Sequence, residues 1–361
     1  MPKVTDIGRT YYGSSFYSCT SLSSVVMPEV TFIGQDTFNK CTSLSSVTMP
    51  KVTNIDFRAF GGCTNLTSLE ILEVTRIGGS AFENCTNLQA INMPKLTTMD
   101  SRAFENCTSL IDIKVPKLTT IQDYAFYNCK NLTTIDLPEV ITIPSGLFYN
   151  CSKLKNINIP KVTTIKDNAF NSCSSIVSID MPEVTNIEGY SIFSGCKALT
   201  SLNIPKLQKI SSNAFSNGDS LTEIRINAKK EEVTGSEYAP WGANNNNATV
   251  YWADTTKEGD FIVDGGYHIQ KYIGNGGDVV VPDNLTSIGT NVFLNRTDLT
   301  SITMPKVTNI DAYAFKGCST LTSLEMPELI KISNGAFQGC TNLVDIDISS
   351  VEEIGQAAFS E

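Results

Sequence analysis

The residues best suited to metal or redox chemistry in this chain are eleven cysteines and a single histidine. Every cysteine follows a phenylalanine by three residues, beginning with Phe16/Cys19 and returning every 22 residues as far as Cys173. Zinc sites need thiolates at short spacings such as C-x-x-C, and this spacing does not occur. Gly218 and Arg296 replace cysteine at the same repeat position, so that position tolerates the loss of sulfur. We expect free, buried, inert thiols that pack between repeats.

Catalytic constellations are equally scarce. Triads and most metal sites need histidine in combination, whereas His268 stands alone in a predicted hairpin. The glycines from Gly274 to Gly277 lack the strand–loop–helix context of a phosphate loop. Carboxylates are plentiful, but facing carboxylates recur in any acidic repeat array and do not define a glycosidase pair. The sequence therefore predicts no enzyme and no cofactor.

The composition excludes further classes of partner. The net charge is −10 over 361 residues, and no basic stripe with interleaved aromatics occurs, which argues against a nucleic-acid partner. The apolar runs are too short to cross a bilayer, so membrane insertion is not expected. The start, Met1 to Phe16, is polar and shows no signal peptide. The chain opens and stops inside a repeat, so we expect a fragment of a longer protein.

The elements that position these residues come from one repeated phrase, Pro-Lys/Glu-Val-Thr-x-Ile, followed by Ala-Phe-x-x-Cys and Leu-x-x-Ile-x-Met. A fixed period of this length is typical of a solenoid, whose units bury their apolar faces only against neighbouring units. The prediction is a mainly β, right-handed leucine-rich-repeat solenoid of roughly 22-residue repeats, with short turns or 3₁₀ segments and an interrupting β-hairpin.

Within one repeat, the segment Leu22 to Met27 has the L-x-x-L-x-L form of a short strand. Alternation points Val25 and Met27 inward, and Pro28 ends the strand because proline donates no ladder hydrogen bond. The residue after this proline alternates in charge down the array, apart from one Lys–Lys step. This alternation predicts a ladder of ion pairs between adjacent repeats. The alternative interpretation is that the charged residues form a stripe to which a partner docks. The ladder comprises Glu29, Lys51, Glu73, Lys95, Lys117, Glu139, Lys161, Glu183 and Lys206.

The repeat breaks down between Ile226 and Val281. Residues 253–260 read as an exposed linker, and Asp264-Gly-Gly266 predicts a hairpin turn between two apolar-rich runs. Aromatic residues gather at Tyr11-Tyr12 and in the segment that precedes the linker. We expect the second group to pack as a cap over the first array; it comprises Tyr238, Trp241, Tyr251 and Trp252.

With these motifs in view, the chain resembles the BspA-like branch of bacterial leucine-rich-repeat proteins over nearly its whole length. The segment 264–289 is similar to one that opens an array in that family, and 238–251 to one that closes an array. The resemblance implies a first array with its closing segment (1–252), a linker (253–260), and a hairpin cap with a second array (261–361). It also implies a secreted or surface-displayed bacterial protein, in a family with members implicated in adhesion.

A partner is expected on the outward side chains of the strand ladder, the predicted concave face. Two rows of small, polar residues, almost without aromatics, cover this face. Either these residues are only solvated, or they form a shallow binding face. The most individual stretch supplies the candidate binding residues, namely Lys114, Asp136, Asn158, Asp180, Asn203 and Arg225.

Three functions follow from this sequence. The first is a non-catalytic binding or adhesion module outside a bacterial cell, with a protein or glycan ligand such as host matrix. The second is a structural spacer or scaffold that associates end to end through unpaired strand edges. The third, a lectin or hydrolase, needs exposed aromatics and carboxylates that the repeats do not supply.

Overall fold

A computed structural model describes residues 4–8, 14–246 and 248–361, so the predicted aromatic pair Tyr11-Tyr12 lies outside the described residues. The chain divides into two compact units, Met1–Ala248 and Thr249–Glu361. Each is a solenoid of short parallel strands joined by turns, as the repeat predicted. Every repeat contributes at most two strands, and its Ala-Phe-x-x-Cys segment forms a turn.

The first strand of each repeat forms where the Leu-x-x-Ile-x-Met pattern alternates. Its middle residue is inward and its two outer residues face solvent. In the first unit these strands are β2 (Ser24–Val26), β4 (Ser46–Thr48), β6 (Ser68–Glu70), β8 (Ala90–Asn92), β10 (Asp112–Lys114), β12 (Thr134–Asp136), β14 (Asn156–Asn158), β17 (Ser201–Asn203) and β19 (Glu223–Arg225). Segment 178–180, predicted to continue this series, has no strand.

In the first unit, the second strand of each repeat is only two residues long and ends at an isoleucine or methionine, which is buried in every strand but the first, where Ile7 is half-buried. Threonines before these strands donate their hydroxyls to the preceding repeat, as Thr97 Oγ1 does to the Thr75 carbonyl at 3.1 Å. The second strands of the first unit are β1 (Asp6–Ile7), β3 (Phe32–Ile33), β5 (Asn54–Ile55), β7 (Arg76–Ile77), β9 (Thr98–Met99), β11 (Thr120–Ile121), β13 (Thr142–Ile143), β15 (Thr164–Ile165), β16 (Asn186–Ile187) and β18 (Lys209–Ile210).

A column of phenylalanines and cysteines fills the interior of both units. Neighbouring rings stack nearly parallel, as at Phe60/Phe82, where the ring centroids are 5.3 Å apart. Each thiol beyond the first repeat donates to the carbonyl of a phenylalanine in the preceding repeat, as Cys107 Sγ does to Phe82 at 3.1 Å. This contact satisfies the buried sulfur.

The cysteines are free, as predicted, but two of them are not buried. Cys19 is exposed and Cys340 is half-buried, so the prediction of buried thiols is wrong at these two positions. The physical reason is that a solenoid core is covered only by its neighbouring repeats, and the first and last repeats of the series are less covered. The remaining nine cysteines are buried.

The predicted charge ladder is confirmed as ion pairs between adjacent repeats. Lys95 Nζ lies 2.6 Å from Glu73, and Lys161 lies 2.6 Å from Glu139. The ladder continues in the second unit, where Lys306 pairs with a glutamate of the following repeat. These side chains are about half exposed, so each pair contributes little stability, about 0.2–1 kcal/mol.

Trp241 caps the phenylalanine column of the first unit, which confirms the predicted packing role of this residue. Its ring is fully buried and meets Phe215 edge-on, with centroids 5.9 Å apart. The indole Nε1 donates to the Gly235 carbonyl at 2.7 Å. Three short 3₁₀ helices build this segment, Lys230–Glu232, Ser236–Tyr238 and Ala243–Asn246.

The second unit contains the predicted hairpin, in which β22 (Phe261–Asp264) and β23 (His268–Tyr272) pair antiparallel across the Asp264-Gly-Gly turn. A strand that the sequence did not predict lies within 253–260 and pairs antiparallel with β22. The strands of this unit are β20 (Thr249–Tyr251), β21 (Thr256–Glu258), β22 (Phe261–Asp264), β23 (His268–Tyr272), β24 (Gly277–Val280), β25 (Ser287–Ile288), β26 (Leu299–Thr303), β27 (Asn309–Ile310), β28 (Ser323–Glu325), β29 (Lys331–Ile332) and β30 (Glu353–Ile354).

Candidate functional site

The strand face of the first unit is the surface formed by the outward side chains of its first strands and of segment 178–180. All six candidate binding residues lie on it and are exposed. They are not equivalent, however, because the sheet beneath them is not continuous. Strands β2 to β10 form one parallel sheet, β12 and β14 a second, and β17 and β19 belong to a third.

The second-strand side of the same repeat is interrupted as well, and there the sequence shows a cause. Gln122 donates its backbone N–H to the Met99 carbonyl, and Lys166 donates to Ile143, each at 3.0 Å. Pro144 occupies the same repeat position between them and has no N–H to donate. The second-strand sheet is accordingly interrupted between β11 and β13.

A second substitution removes a side-chain contact at the same place. Ile141 stands where Thr119 and Thr163 stand in the flanking repeats, so the hydroxyl that bonds the preceding repeat is missing. The repeat also sits further from its neighbours inside the core. The ring centroids of Phe104/Phe126 and Phe126/Phe148 are 5.8 Å apart, whereas Phe82/Phe104 lie at 5.1 Å.

The first strands of this repeat and of the preceding one, β12 and β10, are also further apart. The amide of Ile111 donates to Gln89 at 2.8 Å, but the equivalent bond from Thr133 to Ile111 lengthens to 3.3 Å. Over the described residues, β10 and β12 remain neighbours without forming a ladder. The array is therefore opened locally on its two strand sides, whereas the turn side keeps its bonds, as the Phe104 N–H shows by donating to the Ala125 carbonyl at 2.8 Å.

A groove of about 490 Å³ lies on the strand face at this opening. It contains three of the six candidate residues, Lys114, Asp136 and Asn158. Its complete lining is Asp112, Ile113, Lys114, Val115, Pro116, Thr134, Ile135, Asp136, Asn156, Ile157 and Asn158. Among the described residues, the other three candidates are not part of this lining; Asp180, Asn203 and Arg225 lie further along the array.

A second groove of about 370 Å³ continues the first toward the start of the array. The two grooves share Asp112 and Lys114, and the second adds Glu70 and Asn92. Together they run across five successive first strands, β6 to β14, which at about 4.8 Å per strand is a length of about 20 Å. We call this continuous depression the strand-face groove.

The polar groups of the strand-face groove are largely available to a ligand. Asn158 Nδ2 donates to Asp136 Oδ1 at 2.7 Å, which fixes that carboxylate and leaves Oδ2 open. Within the described chain, Lys114, Asp112 and Glu70 have no ion-pair or hydrogen-bond partner for their side chains. Outside the groove, by contrast, the Arg225 guanidinium is 3.0 Å from Glu223 and is already paired.

The single histidine contacts a serine side chain. His268 Nδ1 lies 3.0 Å from Ser287 Oγ, while its other ring nitrogen lies beside the backbone of Gly289. A serine–histidine pair of this kind works as a nucleophile when a third group orients the imidazole. Among the described residues, no carboxylate contacts His268, and no cluster of three metal-ligating side chains occurs.

A family model for the BspA-type leucine-rich repeat region, present in six copies, matches residues 10–133, 119–239 and 271–361. The chain therefore belongs to the BspA-type leucine-rich repeat family, and the resemblance read from its repeats is confirmed. No protein with a curated description matches the sequence. In the described part of the chain, no helix is long and apolar enough to span a bilayer.

The chain is similar to several solved structures, and the first of them supports the fold. A leucine-rich repeat protein from Bacteroides ovatus has a TM-score of 0.55 at 23% identity, over 98% of this chain and 87% of that chain. A leucine rich cell surface protein from Faecalibacterium prausnitzii has a TM-score of 0.40 at 25% identity, over 82% and 71%. The leucine-rich repeat protein of T. pallidum is 30% identical, with a TM-score of 0.41 over 49% and 77%.

Sequence reasoning selected the strand face but not the groove within it. Asp112, Thr134 and Asn156 line the groove and were not among the candidate residues. The signal that could have found them is Pro144, which lacks the N–H that Gln122 and Lys166 donate at the same repeat position. Ile141, in a column of threonines, points to the same repeat.

Proposed function

We propose that this chain is a non-catalytic binding module of a bacterial surface or secreted protein, and that the strand-face groove holds its ligand. The proposal is supported by one observation: the ladder between β10 and β12 is interrupted at the place where polar side chains without partners line a groove. Lys114, Asp112 and Glu70 project into a groove whose floor includes the buried Ile113 and Ile135. Polar groups around an apolar floor are the usual composition of a binding cleft.

The groove favours a polymeric ligand, protein or glycan, over a small molecule. It is open along its length and runs over several repeats, so it cannot enclose a compact ligand. Its described lining contains no aromatic side chain on which a sugar ring could stack. Protein ligands, including host matrix proteins, are therefore the first class to test, with glycans as the comparison.

The experiment is a binding measurement with two matched triple variants. Purified chain is titrated against immobilised matrix proteins, mucins and glycans at physiological salt. One variant carries Lys114→Ala, Asp136→Ala and Asn158→Ala, and the other carries Asp180→Ala, Asn203→Ala and Arg225→Ala. All six residues are exposed on the same strand face, but only the first three line the groove.

We expect saturable binding that the groove variant loses by at least about tenfold and the other variant keeps within about twofold. Equal loss in both variants would place the ligand on the whole strand face. Equal retention would move the binding surface elsewhere and overturn the proposal.

The second candidate function is a scaffold that associates through strand edges. Its test residue is Ile354 on β30, which is 50% accessible. Association through such an edge predicts a sedimentation coefficient that rises with concentration and falls in an Ile354→Lys variant. A constant value over a hundredfold concentration range would exclude this function.

A further inference from the structure

The charges of the strand-face groove define the chemistry of what can bind there. Three carboxylates, Glu70, Asp112 and Asp136, line it, and Lys114 is its single cation among the described residues. The net charge of the lining is therefore negative. The chain as a whole carries −10, so its field also attracts cationic partners.

The two carboxylates of the outer row are set at a defined separation. Glu70 and Asp136 occupy the third position of β6 and β12, which lie three repeats apart. At about 4.8 Å per repeat their backbones are about 14 Å apart along the array. Lys114 lies between them, on β10, one repeat before Asp136.

An extended polypeptide matches this separation. Its residues advance by about 3.4 Å, so residues i and i+4 are about 14 Å apart and project from the same face. In a helix, residues i and i+4 are only about 6 Å apart, which is much less than the separation of Glu70 and Asp136. We propose that the groove binds an extended polypeptide segment with basic side chains at positions i and i+4, one beside Glu70 and one beside Asp136. This inference rests on the proposed function and names the ligand class.

Of the two carboxylates, Asp136 should contribute more to ligand binding than Glu70. Its Oδ1 accepts from Asn158 at 2.7 Å, so the side chain is held in place before the ligand arrives. A preorganised acceptor loses less side-chain entropy on binding than a free one. Lys114, one repeat away, opposes a cationic ligand and therefore limits the affinity.

The test uses three acetylated and amidated peptides containing K-T-V-T-K, its composition-matched isomer K-K-T-V-T, and E-T-V-T-E. They are titrated by calorimetry into the full chain at low and at physiological salt. We expect the K-T-V-T-K peptide to bind more tightly than K-K-T-V-T, and to weaken as salt rises. Binding of E-T-V-T-E should not be detectable.

Charge reversals within and outside the groove provide the controls. Asp136→Lys should weaken the K-T-V-T-K peptide by about tenfold or more, and Lys114→Glu should strengthen it by about fivefold. Asp180→Lys makes the same charge change on the same face outside the groove lining, and it should alter affinity by less than about twofold. Thermal unfolding confirms that each variant is folded.

Several results would overturn the inference. These are tighter binding of E-T-V-T-E, equal binding of the two lysine peptides, or an Asp180→Lys effect as large as that of Asp136→Lys. If none of the peptides binds while the groove triple variant still loses a matrix protein, the basic-segment inference fails and the proposed function stands. If neither the triple variant nor Asp136→Lys loses binding of any matrix protein, mucin or glycan, the proposed function itself fails.

Discussion

The phenylalanine–cysteine column and the strand face are built from the same repeat, yet they vary in opposite ways. The column keeps a stacked ring at nearly every repeat of the first unit, and its spacing changes by less than 1 Å. The strand face changes residue at almost every repeat and is divided into separate sheets. The comparison indicates that the column supplies the stability that allows the strand face to differ from repeat to repeat.

High pH should disrupt the column most strongly. Burial raises the pKa of the Cys85 and Cys196 thiols to about 12, and it raises the pKa of Cys107 and Cys129 well above the ordinary 9.0. The folded chain therefore keeps protons that the unfolded chain releases above pH 9. Each such thiol should cost about 1.4 kcal/mol of unfolding free energy per pH unit above that point.

Urea unfolding at pH 8 and pH 10 under reducing conditions measures this loss. A Cys85→Ala variant is the matched control, because it lacks one buried thiol and should lose less stability between the two pH values. Identical pH dependence in the variant and the parent chain would show that the buried thiols are not responsible.

Truncating one ring should have the next largest effect. Phe82→Ala is expected to cost about 3–5 kcal/mol, because it leaves a cavity between two tightly stacked neighbours. Phe126→Ala should cost less, since both of its neighbours are already 5.8 Å away and contact it less closely. Equilibrium denaturation of both variants tests the order, and a larger loss for Phe126 would contradict the account of the opened repeat.

Changes on the strand face should barely affect stability. The Lys114→Ala, Asp136→Ala and Asn158→Ala triple removes exposed side chains and one hydrogen bond. We expect the unfolding free energy to change by less than about 1.5 kcal/mol, because exposed substitutions usually stay within about 0.5 kcal/mol each. A loss comparable to that of Phe82→Ala would mean that the strand face is structural.

The charge ladder should give the smallest effect. Lys95→Ala breaks one exposed pair with Glu73 and should cost about 0.2–1 kcal/mol at low salt. Raising the salt to 1 M should remove most of that difference, because the Debye length falls to about 3 Å. A difference that persists at high salt would point to packing of the lysine stem instead of charge.

Most of the fold could be predicted from the sequence because the same pattern of apolar and turn residues recurs in many repeats. The Phe-x-x-Cys spacing fixed the column, the Leu-x-x-Ile-x-Met alternation fixed the first strands, and the Asp264-Gly-Gly turn fixed the hairpin. The exposure of Cys19 was not predicted because the repeat pattern indicates the surroundings of a cysteine in a typical repeat. Cys19 lies in the first repeat of the series, which is less covered by neighbouring repeats.

The candidate site was only partly predictable. Exposure of the six residues follows from alternation, but their division into groove and non-groove residues depends on how far one repeat is displaced from the next. That displacement is a fraction of an ångström per contact, as the 5.8 Å and 5.1 Å ring spacings show. Pro144 and Ile141 mark the repeat where it happens, yet their consequence for Lys114 and Asp136 appears only in three dimensions.

Restoring the interrupted ladder tests whether the opened repeat creates the binding groove. Ile141→Thr with Pro144→Gln introduces the residues found at the same positions one repeat earlier, Thr119 and Gln122. This double variant should stay folded and lose ligand binding by about tenfold, because the regained hydrogen bonds draw the repeat back and narrow the groove. Unchanged binding in a variant whose amides at 141 and 144 become protected from hydrogen exchange would contradict this expectation.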